Sequence, residues 1–504
     1  MSAIVDASRE RAENTTVDVC IIGSGSGGAT AAWELARAGK QVLVLEEGGD
    51  FLGGALTRRD GMYDQLYMER GGRSTSDLAI SVLQGRVLGG GGVINACDVV
   101  PLHDTVLRHW QKAYGLSDFS PETMEPYRKA ALDDLSANEP AESQINENNR
   151  ILRAGAAAMG WRGEVMMHNR VGCVGLGKCL VGCMVGAKRN PRMVAIPNAI
   201  AAGARILLRA RAVRIDDATS EVKTVRVRTL DPKGYHEEYE LLVRAKLVVL
   251  AANAVASAQL LLRSGLGNEH VGKHLSLQPQ LPITATFERE VALFHGIPQS
   301  YAVTEFEELA TDTRGLGGFR IEAIGGTPGI IATVLPKLGA RGKAQMKLLP
   351  HIAASLLLVP DAGNGTVTVD AKGRAQIAYA MPEEQKKRYR DAAKAAAKLY
   401  FAAGAKQVVV PTATPVVLER LADLGAIDAL TFEPATTPFL SAHQQGSVRF
   451  GTSPSTGGAD PSGQVYGTRG VHVLDSSGYP TSSSSHTMTP IITTSRYLAR
   501  KLAS

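Results

Sequence analysis

Residues 17–49 read VDVCIIGSGSGGATAAWELARAGKQVLVLEEGG. This stretch constrains the fold more than any other. A short β-branched run ends in glycine, a glycine turn follows, then an alanine-rich helical pattern closed at Gly39, then a second apolar run ending at Glu46. Strand, turn, helix and strand within about thirty residues make a βαβ unit with a parallel strand pair. Gly23, Gly25 and Gly28 form G-x-G-x-x-G. The first allows the tight turn, the second lets backbone approach a pyrophosphate, and the third lets helix pack on strand. The helix N-terminus turns unpaired N–H groups and a partial positive charge toward phosphate. Glu46, at the end of the second strand, is placed to accept hydrogen bonds from ribose hydroxyls and disfavours a 2′-phosphate. The expectation is a dinucleotide cradle.

Residues 85–100, GRVLGGGGVINACDVV, add a second glycine cluster. Four successive glycines, 89–92, are costly inside a helix or strand. Apolar sequence on both sides argues for burial, so this backbone is expected to lie against a large planar ligand.

The remaining composition excludes more than it assigns. A net charge of +6 over 504 residues, with no block of Lys and Arg, gives no footprint for nucleic acid. Residues 1–16 lack the apolar core of a signal peptide, and no uncharged run reaches the ~18 residues of a membrane span. The expectation is a cytoplasmic protein. Five cysteines, three of them clustered, do not form a secreted disulfide framework.

Near the C-terminus, SAHQQGSVRFG (441–451) and VHVLDSSGYPTSSSSHTMTPI (471–491) place His443 and His486 beside small-residue turns that could present them in a cleft. The run PIITTSRYLARKL reads as a helix with Pro490 in its first turn, where proline is tolerated.

With these segments in hand, the chain resembles the glucose–methanol–choline (GMC) family of flavin oxidoreductases. The fingerprint ending LEEGG is one element of the likeness. GRVLGGGGVIN resembles the family's G-[KR]-x-L-G-G-S-S-x-x-N element, with Gly91 and Gly92 where the family has two serines. VVLAANAVASAQLLLRSGLG followed by VGKHL resembles its second signature, and the two C-terminal blocks resemble its active-site segments. His486 stands where many relatives have Asn, and a His–His pair also occurs in the family.

The resemblance implies an α/β protein: a Rossmann-type FAD-binding domain from residues 1–110, 165–275 and 436–504, and a substrate domain from 111–164 and 276–435, a mainly antiparallel sheet with helices. It implies FAD as cofactor and oxidation of an alcohol by hydride transfer to flavin N5, with O2 or another electron acceptor. His443 would be the base and His486 its hydrogen-bonding partner, since a neutral imidazole suits proton abstraction near neutral pH. Gly89, Gly90, Asp475 and Ser476 would meet the cofactor. Asn95, Thr489, Pro490 and Ile491 would lie near the isoalloxazine ring, and the Val213 backbone at the adenine. A lyase or isomerase on the same scaffold is an alternative.

GCVGLGKCLVGC (172–183) carries Cys173, Cys179 and Cys183. The readings are a structural loop, as in relatives similar to long-chain alcohol oxidases, a zinc site, or a three-iron cluster as in some sugar dehydrogenases of the family. Cys20 and Cys97 read as core residues. In the middle region, TVTVD and QIAYA alternate like strands, and a helix is expected from Glu383 to Gly404. Residues 334–360 mix basic and apolar residues. They read as a core helix with a basic end, or as a lid or peripheral membrane contact. Few carboxylates in the middle suit sugar hydroxyls, so a hydrophobic alcohol is expected, long-chain or sterol-like.

Overall fold

A computed structural model of the chain describes residues 2–56, 61–312, 315–335, 339–483 and 486–504. Two sheets organise it. The first has the parallel order Ile4–Asp6, Arg205–Leu208, Val42–Glu46, Thr15–Ile22, Glu237–Leu250, extended antiparallel by Lys223–Leu230 and Ala210–Asp216. Ile22 is in register with Leu45 on one side and Leu250 on the other, so three strands end together. At that shared end residues 19–22, Val42–Glu46 and residues 248–250 are all buried, as expected where helices cover both faces. The strand Val471–Val473 pairs with the end of Glu237–Leu250.

Two helices close one face. Ser26–Arg37 leaves the glycine turn and packs against the C-terminal helix Met488–Ala503. Their approach is close: a Cβ at Gly27 would lie 2.1 Å from the carbonyl oxygen of Leu474, and one at Gly28 1.9 Å from that of Gly23.

The second sheet has the antiparallel order Val416–Leu418, Gln407–Val410, Gln280–Thr286, Ile352–Leu358, Arg320–Ala323, Tyr301–Val303, Gly163–Val165. Phe439–Ser441 joins it beside Gln280–Thr286 and pairs in parallel with Ile80–Val82. These last two strands fall in the sequence segments expected to build the nucleotide domain; hydrogen bonding carries them into the other sheet. The helix Glu383–Ala402 covers the second sheet, burying its alanines and Tyr389, Leu399 and Tyr400. The expected strands near 365–379 form a separate hairpin, Gly365–Val369 with Ala375–Tyr379.

Residues 334–360 differ from the single helix expected. Pro328–Val334 and Gly339–Lys347 are short helices, and Ile352–Leu358 is a fully buried strand. An apolar run of seven does not reveal its own period, and two flanking strands decide it. Residues 336–338 of that segment lie outside the described residues, as do 484–485 of the SSSSH block. Among the described residues no helix is long and apolar enough to cross a membrane.

Candidate active site

The C-terminal edge of the first sheet opens into a cavity of about 920 Å3 that runs on to the face of the second sheet. Gly23, Ser24, Gly25, Glu46, Gly90, Asn95, Asp475, Ser476, His443, His486 and Ile491 all line it.

At the nucleotide end the backbone is drawn into close contact. Gly23 has φ +97°, and a Cβ there would lie 2.4 Å from the Ala251 carbonyl oxygen. Gly90 has φ +57°, and its Cβ would fall 2.7 Å from the Cα of Gly25, so the two glycine clusters touch through backbone alone. Ser24 ties them to the acid. Its Oγ donates to Glu46 Oε2 at 2.5 Å and accepts from Gly89 N–H at 3.0 Å. Gly48 N–H donates to Glu46 Oε1 at 2.7 Å. Burial raises the Glu46 pKa, and the bonds from Ser24 and Gly48 offset part of that rise. A bare concave backbone with an acid at its far strand is the cradle a dinucleotide requires.

Not every expected contact reaches the cavity. Gly28 and Gly89 lie behind it: the first seats the helix on the strand, and a Cβ on the second would meet Arg192 at 2.7 Å. Val213 sits where the register between Ala210–Asp216 and Lys223–Leu230 slips, and its neighbours Arg211 and Ala212 line the cleft instead. The C-terminal helix turns Thr487, Met488 and Ile491 to the cavity; Thr489 and Pro490 are buried away from it. The four-glycine run does not lie flat throughout, because Gly91–Ile94 forms one helical turn. A Cβ on Gly92 would meet Pro191 Cδ at 2.5 Å, while one on Gly91 meets nothing within 4 Å. Steric exclusion by Pro191 therefore accounts for the lost serine at 92 and leaves position 91 free.

At the far end His443 and His486 face each other, with ring centroids 5.1 Å apart and planes at 79°. The strand Phe439–Ser441 carries His443 in; Gln280 is in register with Leu440 of that strand. His443 Nδ1 lies 2.7 Å from Gln278 Oε1 and 3.1 Å from Gln280 Nε2. The shorter contact, to a carbonyl-type acceptor, puts the proton on Nδ1 and leaves Nε2 with its lone pair. Burial, then the neighbouring imidazole, hold the His443 pKa well below its usual 6.5. Burial, then the Arg320 guanidinium, hold that of His486 down to about 3. Both rings are neutral at rest.

His486 has a second environment that the sequence does not announce. Its Nε2 lies 3.0 Å from Glu322 Oε2 and 3.9 Å from Asp98 Oδ2, without hydrogen-bond alignment to either. Glu322, on Arg320–Ala323, is fully buried, accepts from Gln299 Nε2, and has Arg320 Nε 2.5 Å from its other oxygen. Asp98 Oδ1 is buried with no hydrogen-bond partner among the described residues, and burial raises the Asp98 pKa far above its usual value. Gln278, Gln280, Glu322 and Asp98 stand in sequence without any local signature.

The cysteines take a structural place. All five are free. Cys97 is buried as expected, but in a turn with φ +73° rather than in a strand. Its thiol meets that of Cys179, which lies 3.9 Å from Arg170 Nη2. Lys188 Nζ donates to the carbonyl oxygens of Val93, Asn95 and Cys179 at 2.8, 2.7 and 2.9 Å, fastening the cysteine loop to the cavity wall. Among the described residues no three metal-ligating side chains are gathered to hold an ion, so Cys173, Cys179 and Cys183 do not converge as a ligand set.

Comparison with known proteins gives matches along most of the chain. The family description "GMC oxidoreductase" matches residues 63–280 with its N-terminal part and 361–495 with its C-terminal part, and a "NAD(P)-binding Rossmann-like domain" matches 21–77. An uncharacterized GMC-type oxidoreductase of Mycobacterium tuberculosis is 32% identical over 474 residues, covering 92% of this chain and 72% of that one. A long-chain-alcohol oxidase of Arabidopsis thaliana is 26% identical over 487 residues, covering 92% of this chain and 65% of its own length. Among solved structures, pyridoxine 4-oxidase from Mesorbium loti superposes with a TM-score of 0.71 at 17% identity, over 96% of this chain and 98% of that one.

Proposed function

This chain belongs to the GMC oxidoreductase family, and from that premise we propose that it is an FAD-dependent enzyme oxidising the CH–OH group of a hydrophobic alcohol. The observation that carries the reading is the facing pair of buried neutral imidazoles, set where the glycine cradle meets an apolar cavity wall. FAD, held by the Gly23–Gly28 turn, Gly90, Asp475 and Ser476, would supply the hydride acceptor.

The chain's own residues do the rest. His443, its Nδ1 proton given to Gln278, takes the substrate hydroxyl proton at Nε2. His486 closes the opposite side of the reacting oxygen. Asp475 holds the cradle together: it accepts from Asn253 N–H and Ser257 Oγ on one oxygen and from Ser477 on the other. Ile324, Ile331, Val334, Leu356, Leu358 and Leu440 offer the remaining wall, which suits an alkyl chain or sterol better than a sugar. The similarity to long-chain-alcohol oxidases supports the same substrate class. Electrons leave to O2 or another acceptor.

The test is anaerobic bleaching of the flavin absorbance by a panel of 1-alkanols from butanol to hexadecanol, a sterol and glucose. Bleaching by the long alcohols, with a rate rising with chain length, is expected. Bleaching by glucose alone would overturn the substrate class, and protein that takes up no FAD would overturn the whole reading.

A further inference from the structure

The proton that leaves the alcohol must sit on one of two buried imidazoles, and a buried imidazolium needs a counter-charge. His443 offers none: its Nδ1 faces two neutral amides. His486 is placed differently. Glu322 is 3.0 Å from its Nε2, and behind Glu322 stands Arg320, whose guanidinium also meets Glu164 at 2.8 Å and Glu307 at 3.2 Å. One cation thus serves three carboxylates. Of the three, Glu322 is the one set against His486, and Arg320 behind it is the cation that lowers the His486 pKa.

We propose that Glu322 is a positioning residue of the reaction, the counter-ion that neutralises the positive charge the His443–His486 pair acquires with the hydroxyl proton. The inference rests on the reading of the pair given above. As the substrate O–H bond breaks, its proton goes to an imidazole nitrogen. The C–H bond breaks with its electron pair passing to the bound FAD, and the carbon is left as C=O. Glu322 touches neither substrate nor cofactor; it acts through His486.

Asp98 is the rival carboxylate, and the structure separates the two. Asp98 is 3.9 Å from His486 and has one oxygen without any partner among the described residues, and burial raises its pKa far above the usual value. The nearby Arg170 turns two of its nitrogens to Ala96, His168 and Cys179, and its charge opposes only part of the effect of burial on Asp98. Glu322 is closer, at 3.0 Å, and although burial raises its pKa, Arg320 and Gln299 offset part of that rise. The charged and titratable groups facing the pair are therefore Glu322 and Arg320 from one strand and Asp98 from the loop after the glycine turn. Because the rings interact, they titrate as a pair.

The sign of the test follows. A carboxylate beside the pair favours its protonated form; Glu322→Gln removes that help, so the acid limb of kcat/KM moves to lower pH while the rate of flavin bleaching at the plateau falls 10- to 100-fold. Arg320→Gln removes a cation that opposes the protonated pair, and the limb moves the other way. Both are measured in holoenzyme by anaerobic stopped-flow pH jumps with the fastest alcohol of the panel, between pH 3 and 8. Opposite displacements are expected, since a network that only braces the fold would slow both variants without moving the limb. If Glu322→Gln does not retain FAD, Glu322→Asp, which keeps the charge, takes its place. It should hold the limb at the wild-type pH at a reduced rate, and a limb displaced downward there overturns the proposal. An unmoved limb in Glu322→Gln and Arg320→Gln overturns it too. Failure of the underlying reading looks different: undiminished bleaching in His443→Ala, or no bleaching by any alcohol in the panel.

Discussion

The two ends of the cavity are built on opposite principles. At the nucleotide end the buried acids are met within the chain: Glu46 takes three donors, Asp475 takes four, and Ser24 bridges both glycine clusters. At the histidine end His486 Nε2, Asp98 Oδ1 and Glu322 Oε1 are buried without a hydrogen bond among the described residues. The first end is finished by folding. The second holds groups in reserve for a reaction that redistributes a proton. Unsatisfied buried polar atoms are costly, and the three beside the two imidazoles support the proposal that the chemistry takes place there.

The comparison breaks most sharply at His443. His443→Ala should lower the rate of flavin reduction by about 10³-fold while FAD absorbance is retained; stopped-flow bleaching measures it. The nucleotide end should break the other way. Gly28→Ala puts a Cβ 1.9 Å from the carbonyl oxygen of Gly23, which should destabilise the protein by more than about 3 kcal/mol. Gly25→Ala meets only the Cα of Gly90, at 3.8 Å, and should cost about 1 kcal/mol or less in stability yet lose FAD, because its methyl stands in the cleft. Thermal melts of the apoprotein and flavin content after gel filtration distinguish the pair. A finer cut runs between adjacent glycines: Gly92→Ser should lose about 1–3 kcal/mol against Pro191, and Gly91→Ser almost nothing, read from urea midpoints.

The smallest effect is in pH. Both histidine pKa values are lowered in the folded protein. As pH falls below 6.5, unfolded chains bind protons that folded chains refuse, so this contribution to stability is present above 6.5 and is lost on acidification. His486→Asn should flatten the fall in stability between pH 6.5 and 4.5 by roughly 1–2 kcal/mol.

Sequence legibility divides along the same line. Glycines carry backbone requirements that need no partner to be recognised, so the turn at Gly23–Gly28 and the helix it opens can be read directly. The helix ending before Gly404 and the hairpin strands follow from local period. His443 and His486 come from motif position, not from their being histidine. What sequence does not carry is phase and pairing. The C-terminal helix begins at Met488, and its pitch, not its order, sends Met488 and Ile491 to the cavity and Thr489 and Pro490 behind it. A bulge displaces Val213. Gln280 matters because its strand pairs with the one that brings in His443, Gln278 because it lies just before that strand, and Glu322 because its strand, across Ile352–Leu358, reaches His486; no local pattern encodes such neighbours.

The packing of Gly27 on Leu474 has a consequence for how the protein is made. The helix Ser26–Arg37 rests on a segment more than four hundred residues later in the chain, next to the strand Val471–Val473 that pairs into the first sheet. The cradle at residues 23–28 emerges early yet cannot be completed until residue 474 and the helix after it have left the ribosome. The contacts that close it span more than four hundred residues, which makes assembly slow and leaves the N-terminal apolar strands exposed meanwhile. A chain that has not yet released residue 474 therefore has no finished cradle, however early residues 23–28 emerge.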